Sequence, residues 1–182
     1  MHKTKILGLD ISSSTIGWSF IEYDKNIEIL LEYGNIKPPK STKGSLAFRA
    51  LAYARELEKL LTLKDPDVVA IEAYASKFSK GKSTARTIIT LSFFNEISSV
   101  ICLDVLKMES VSYPVTTIRS TLSKIFKRKI VSKEDAFDVA SKHFSNFKIR
   151  NNRSGNIAKE CFDEADSIAV CLTHIYKERK NG

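Results

Sequence analysis

The run DVVAIEAY is apolar on both faces until Glu72, and that one segment constrains the fold more than any other. A strand without a polar face has to be covered on both sides, as the central strands of layered α/β folds are. A carboxylate at its end is costly unless the fold gives it a partner or a task. The segments around it set the layers. Residues from about Lys5 to Asp10 alternate as a strand, with Leu7 and Leu9 on one face and Ile6, Gly8 and Asp10 on the other. A turn through Ser12, Ser13 and Ser14 leads to a second strand, about Thr15 to Tyr23, and Lys25-Asn26 turns into a third, about Ile27 to Ile36.

Helical spacing begins after Pro38-Pro39. Leu46, Ala50, Tyr53, Leu57 and Leu60 define a helix of about Ser45 to Leu63 that Asp65-Pro66 ends. Beyond the central strand a basic loop precedes a long helix, about Ser83 to Lys107, with Ile89, Phe93, Ile97 and Ile101 as its stripe. A short strand VSYPV follows, then helices of about Thr117 to Phe126 and Lys133 to Phe144. The last helix runs from about Phe162 to Lys177, with Ala165, Ile168, Ala169, Leu172, Ile175 and Tyr176 turned inward. The order β-β-β-α-β-α-β followed by helices predicts an α/β fold: a mixed five-stranded sheet, three antiparallel strands and then two parallel ones, flanked by helices. With 182 residues, 43% of them hydrophobic, and no linker, repeat or low-complexity tract, one domain spanning 1–182 is expected.

Acidic residues stand where these elements converge. Asp10 and Glu72 end two strands; if those strands are neighbours, their side chains meet at one edge of the sheet. Asp163 and Asp166, three apart in CFDEADSIAVCL, share one helix face. Glu164 between them points elsewhere and is given no role. Each acid alone has an ordinary explanation: a turn residue, a loop acid, or a carboxylate favoured by the positive end of a helix. Together they would repel strongly, and divalent cations resolve that repulsion. Mg²⁺ or Mn²⁺ takes oxygen ligands and keeps positions for water and phosphate. Two such ions activate water and stabilise the leaving oxygen in phosphodiester hydrolysis.

Charge supplies the other half of that reading. The chain has 29 Lys and Arg against 21 Asp and Glu, a formal net charge of +8. A cationic surface attracts polyanions, and binding to nucleic acid is driven by release of condensed counterions. The cations concentrate in KFSKGKSTAR, KIFKRKIVSK and KIRNNRSGNIAK, each in or beside a predicted loop. Cys102, Cys161 and Cys171 lack metal or redox spacing and read as buried, reduced thiols. His2, His143 and His174 are scattered and are assigned to neither metal nor catalysis. The N-terminus turns acidic after too short an apolar stretch for a signal peptide, and no run approaches the ~20 apolar residues of a membrane span. A soluble, cytoplasmic protein without a membrane or small-molecule cofactor is expected.

LGLDISSSTIGWSFIE, VAIEAYASKFSKGKSTARTI and FDEADSIAVCLTHI resemble, in order and spacing, the three acidic motifs of RuvC-type Holliday junction resolvases of the RNase H-like nuclease superfamily. The resemblance implies that Asp10, Glu72, Asp163 and Asp166 hold two Mg²⁺ ions, with Mn²⁺ able to substitute. It implies a homodimeric endonuclease that nicks a four-way DNA junction symmetrically, because two equivalent scissile phosphates are best met by two sites related by a two-fold axis. It places Tyr74 or Phe78 among bases at the branch point. Lys80, Lys82 and Arg86 would then lie over phosphates, with Lys124, Lys127, Arg128, Lys129 and Lys133 in the lysine-rich stretch before the third motif. One departure is ISSST after Asp10, where members commonly have glycine or proline; it loosens the turn or supplies hydroxyl contacts to phosphate. Two rival readings remain. GLDISSSTIGWSF also resembles the phosphate loop of actin-like ATPases and sugar kinases, although those need two such domains and a glycine-rich segment, and this chain has only 7 Gly. An RNase H-like protein acting on RNA or another branched nucleic acid, as the YqgF-type ribonucleases do, is the other.

Overall fold

The computed structural model describes residues 3–12, 14–37, 45–74 and 85–181. Strands β1 (Thr4–Ile11), β2 (Ile16–Tyr23) and β3 (Glu28–Ile36) form the antiparallel meander. Helix α1 (Leu46–Lys64) leads to β4 (Val68–Ala73), and α2 (Ala85–Leu106) leads to β5 (Val111–Pro114). Three helices complete the chain: α3 (Val115–Ile125), α4 (Lys133–His143) and α5 (Lys159–Asn181). The sheet order is β3-β2-β1-β4-β5, antiparallel across β3-β2-β1 and parallel across β1-β4-β5. This is the mixed five-stranded sheet expected from the sequence.

Alternation along β1 and β4 divides the core. Leu7, Leu9, Val69 and Ile71 pack with Tyr53, Leu57 and Leu61 of α1 and Phe94 and Cys102 of α2. Ile6 and Ala70 face the opposite layer, with Ile118 and Leu122 of α3, Phe137 and Val139 of α4, and Ile168 and Leu172 of α5. Both faces of β4 are therefore covered, which is why its sequence has no polar alternation.

Local signals set the helix ends. Ser45 caps α1, its hydroxyl accepting from the Phe48 amide at 3.2 Å, and Asp65 ends it in the left-handed region at φ 44° ahead of Pro66. Ser132 and Asp135 form a reciprocal capping box on α4, which fixes Lys133 in its first turn.

The helices differ from expectation in three places. α5 starts at Lys159, earlier than the expected Phe162, and is buried nearly all round from Cys161 to Thr173, while Tyr176 is only partly covered. The inward residues of α2 are Phe94, Asn95, Ser98 and Cys102; Ile89 and Phe93 of the expected apolar stripe are exposed at 66% and 38%. A uniformly apolar helix gives periodicity little to distinguish its faces by. For the same reason α2, contrary to the expectation of no such run, is long and apolar enough to cross a membrane. Here it packs on α1 and on the sheet.

Candidate active site

The parallel register pairs Leu9 with Ile71, so Asp10 and Glu72, the next residues on adjacent strands, lie side by side at one end of the sheet. α5 crosses over them on the face that Gly8 and Gly17 leave bare. A Cβ on Gly8 would lie 2.4 Å from the Ser167 carbonyl oxygen, and one on Gly17 only 2.2 Å from that of Asp163. Side chains at either position would push the helix off the sheet. Their absence lets the backbone at Asp163 rest against β2, opposite Asp10 in the β1–β2 register.

The four acids converge on two adjoining cavities. A cleft of about 300 Å³ is lined by Asp10, Glu72 and Asp163 together with Ser12, Thr15, Tyr74, Lys133 and Lys159. A smaller one of about 80 Å³ lies between Glu72 and Asp166, with Arg119 and Lys133 in its wall. Asp163 and Asp166 are 7% and 8% exposed, unusual burial for carboxylates that lack full pairing.

That burial has an electrostatic consequence. Burial, reinforced by Glu72 and Asp166, holds Asp10 well above the usual carboxylate range. Burial and Asp166 push Glu72 up to about 7, against the opposing pull of Lys133 and Arg119. Asp166 is raised by burial too, though Lys133 counters it. Lys133 Nζ donates to Asp166 Oδ2 at 2.7 Å. Burial disfavours its charge, but Asp166, Asp10 and Asp163 outweigh this and raise the ammonium above its ordinary value.

Positive charge is what this arrangement calls for. Donors that are all carboxylate oxygen suit a hard divalent cation; burial first and mutual repulsion second raise Asp10, Glu72 and Asp166, and such a cation would relieve that repulsion. Among the described residues no three Asp, Glu, His or Cys side chains already stand as a ligand group, and Lys133 supplies the local compensation.

The ISSST turn keeps the first strand in place. Ser12 Oγ accepts from the Thr15 amide at 3.0 Å and donates to the Thr15 carbonyl at 3.0 Å, closing the turn without glycine. Thr15 Oγ1 then donates to Asp163 Oδ2 at 3.2 Å, so this turn orients a carboxylate.

The basic and aromatic residues divide. Tyr74 lines the cleft, half-buried beside Asp10. Phe78, Lys80 and Lys82 lie outside the described residues, and Arg86 is exposed at the start of α2. Lys124, Lys127 and Lys129 are exposed around the α3–α4 connection and line neither cavity. Arg128 is turned to Asp138 on α4 at 2.6 Å. Lys133, expected with them to contact nucleic acid, lies among the acids, because the capping box fixes the first turn of α4 beside α5.

Sequence reasoning missed two contributors. Arg119 faces Glu72 from the second turn of α3, and no motif marks it. Glu164, given no role, is 1% exposed; Arg150 Nη2 bonds both its carboxylate oxygens at 2.6 Å and Asn35 Nδ2 donates at 2.5 Å. The only signal for it was an unexplained acid between two candidate ligands. The three cysteines are free and buried, and burial pushes the Cys102 and Cys171 thiols up to about 12, as inert thiols require.

No family model matches the chain. It is 26% identical over 172 residues, 94% of this chain and 93% of the relative, to the crossover junction endodeoxyribonuclease RuvC of Finegoldia magna. Its RuvC counterpart from Caldicellulosiruptor saccharolyticus is 38% identical over 85 residues, 46% of this chain and 49% of the relative. Among solved structures, Thermus thermophilus RuvC in complex with Holliday junction substrate superposes with a TM-score of 0.73 at 14% identity, covering 97% of this chain and 96% of that one. The yeast mitochondrial Holliday junction resolvase gives 0.66 at 13% identity, covering 98% and 81%. A five-stranded mixed sheet with acids at the ends of its first and fourth strands, crossed by an acidic helix, defines an RNase H-like fold. Within that class the chain is similar to RuvC proteins along nearly its whole length.

Proposed function

We propose that this protein is a Holliday junction resolvase: a structure-selective endodeoxyribonuclease, formed by one RNase H-like domain, that makes symmetric nicks in four-way DNA junctions. The observation that carries the reading is the convergence of Asp10, Glu72, Asp163 and Asp166 on two adjoining cavities that share Glu72 and Lys133, in a chain similar to RuvC proteins along nearly its whole length. Cleavage leaves a 5′-phosphate and a 3′-hydroxyl. Neither an RNA substrate nor a nucleotide-binding role gains support from these features.

The four carboxylates would hold divalent metal, two Mg²⁺ per site with Mn²⁺ able to substitute; bound there, the ions supply activated water and stabilise the leaving oxygen. The protein's own groups do the rest. Thr15 fixes the orientation of Asp163 through its hydroxyl. Lys133 and Arg119 hold positive charge where a phosphodiester enters between Glu72 and Asp166. Tyr74 offers an aromatic ring to a base beside the cleft, while Lys80, Lys82, Arg86 and the α3–α4 lysines contribute phosphate contacts. A soluble, cytoplasmic homodimer meets the two-fold symmetry of the junction, and the exposed side chains Ile89, Phe93, Val100 and Leu103 give α2 an apolar stripe for that contact.

Asp10→Asn tests the site because it removes a charged ligand with little change of shape. Cleavage of a four-way junction in Mg²⁺ should fall at least ~100-fold while junction affinity is retained. Full activity in this variant would refute the assignment.

A further inference from the structure

Between α4 and α5 the chain builds a small hairpin that the catalytic reading leaves unused. Asn151 and Ile157 form an antiparallel bridge; the Ala158 amide donates to the Arg150 carbonyl at 2.8 Å and the Asn152 amide to the Asn156 carbonyl at 2.7 Å. The tip is preformed. Asn152 Oδ1 accepts from the amides of Ser154 and Asn156 at 2.9 and 3.1 Å, and Gly155 takes φ +80°, which favours glycine.

Its base is tied to the site. Arg150 grips Glu164, which sits between Asp163 and Asp166, and Asn35 of β3 bonds the same carboxylate. Asn35 pairs with Gly17 and Gly17 with Asp10, so the anchor lies in the sheet row of the first catalytic acid. The hairpin exits at Lys159, which lines the cleft with Asp10 and Asp163.

Composition and exposure give the hairpin a task. From Val139 to Lys159 the sequence holds five Lys and Arg and no acid. Lys142 and Arg150 are spent on ion pairs with Asp138 and Glu164. Arg153, at the exposed tip, and Lys159, at the rim of the cleft, enter no ion pair among the described residues. Arg153 lies in the turn that the Gly155 amide closes on the Asn152 carbonyl, at most ~10 Å of chain from the Arg150 anchor.

We propose that the Arg150–Ala158 hairpin is a phosphate-gripping arm, in which Arg153 and Lys159 hold the backbone of the strand flanking the scissile phosphodiester. The Glu164–Arg150 pair is its positioning strut, which couples the grip to the helix bearing Asp163 and Asp166. This rests on the nuclease reading and adds to it an element that sets affinity for the nucleic acid.

The test measures affinity of the full chain for a synthetic four-way DNA junction in EDTA, across a salt series, for wild type, Arg153→Ala, Lys159→Ala, the double variant and Arg153→Lys. Each alanine should weaken binding several-fold and lower the slope of log affinity against log salt by about 1, with the double variant losing about 2. Arg153→Lys, which keeps the charge, should stay near wild type. Unchanged affinity and slope in the double variant, while the wild type cleaves the junction in Mg²⁺, would overturn the arm alone. A wild type that neither binds nor cleaves the junction would overturn the nuclease reading itself.

Discussion

At the scale of single residues, the acids are placed where they are least comfortable without a cation, and this has a pH signature. The unfolded chain ionises Glu72 near 4.5, whereas the folded chain holds its proton to about 7, with Asp10 and Asp166 raised as well. Between those values the native state binds more protons than the unfolded one, so metal-free stability falls as pH rises, by at most ~1.4 kcal/mol per pH unit for each carboxylate. His174, lowered by burial, works in the opposite sense below about 6.5. Asp24, Glu28, Asp135, Asp138 and Glu160 are lowered, so their contribution is lost only under stronger acid. Thermal melts in EDTA should therefore decline more steeply from pH 5 to 7 in wild type than in Glu72→Gln. Added Mg²⁺ should raise Tm more at pH 8 than at pH 6; equal slopes for the two proteins would remove the carboxylate repulsion from the account. Thr15 makes a separate claim. Thr15→Val deletes the hydroxyl that orients Asp163 and should cost 10–100-fold in cleavage rate with the fold intact, read by single-turnover kinetics and Tm.

At the scale of elements, the site depends on how closely α5 approaches the sheet. A methyl at Gly17 meets the Asp163 carbonyl at 2.2 Å, and backbone cannot rotate away as a side chain can. Gly17→Ala should destabilise by about 1–3 kcal/mol in urea titration and depress cleavage even in the folded fraction, because Asp163 moves with its helix. The strands were legible in the sequence because β4 is apolar on both faces and β1 alternates, and these patterns placed Asp10 and Glu72 at strand ends. The spacing of Asp163 and Asp166 placed them on one helix face. The inner face of α2 was not legible, since Ile89 and Phe93 look as buriable as Phe94 and Cys102. Nor was the company kept by Lys133 and Glu164, whose partners are 33 and 14 residues away and are met only through tertiary packing.

At the scale of the whole molecule, the sheet separates a catalytic layer of α3, α4 and α5 from a layer of α1 and α2 whose outer surface is still apolar. Ile89, Phe93, Val100 and Leu103 recur on one side of α2, each at least 38% exposed. Apolar area of this kind is a cost for a lone chain and an asset for a dimer. Ile89→Glu with Val100→Glu should convert the proposed dimer to a monomer in light scattering; an unchanged mass would remove this face of α2 from the proposed contact. Above all, the cleft is proposed to hydrolyse phosphodiesters in branched DNA. The most direct test offers the protein a synthetic four-way junction, a linear duplex of the same arms and an RNA hairpin in Mg²⁺, and maps the ends that form. Paired nicks at symmetry-related positions of the junction alone, with religatable 5′-phosphate ends, are the expected result. An uncut junction, or equal cutting of all three substrates, would contradict the proposal.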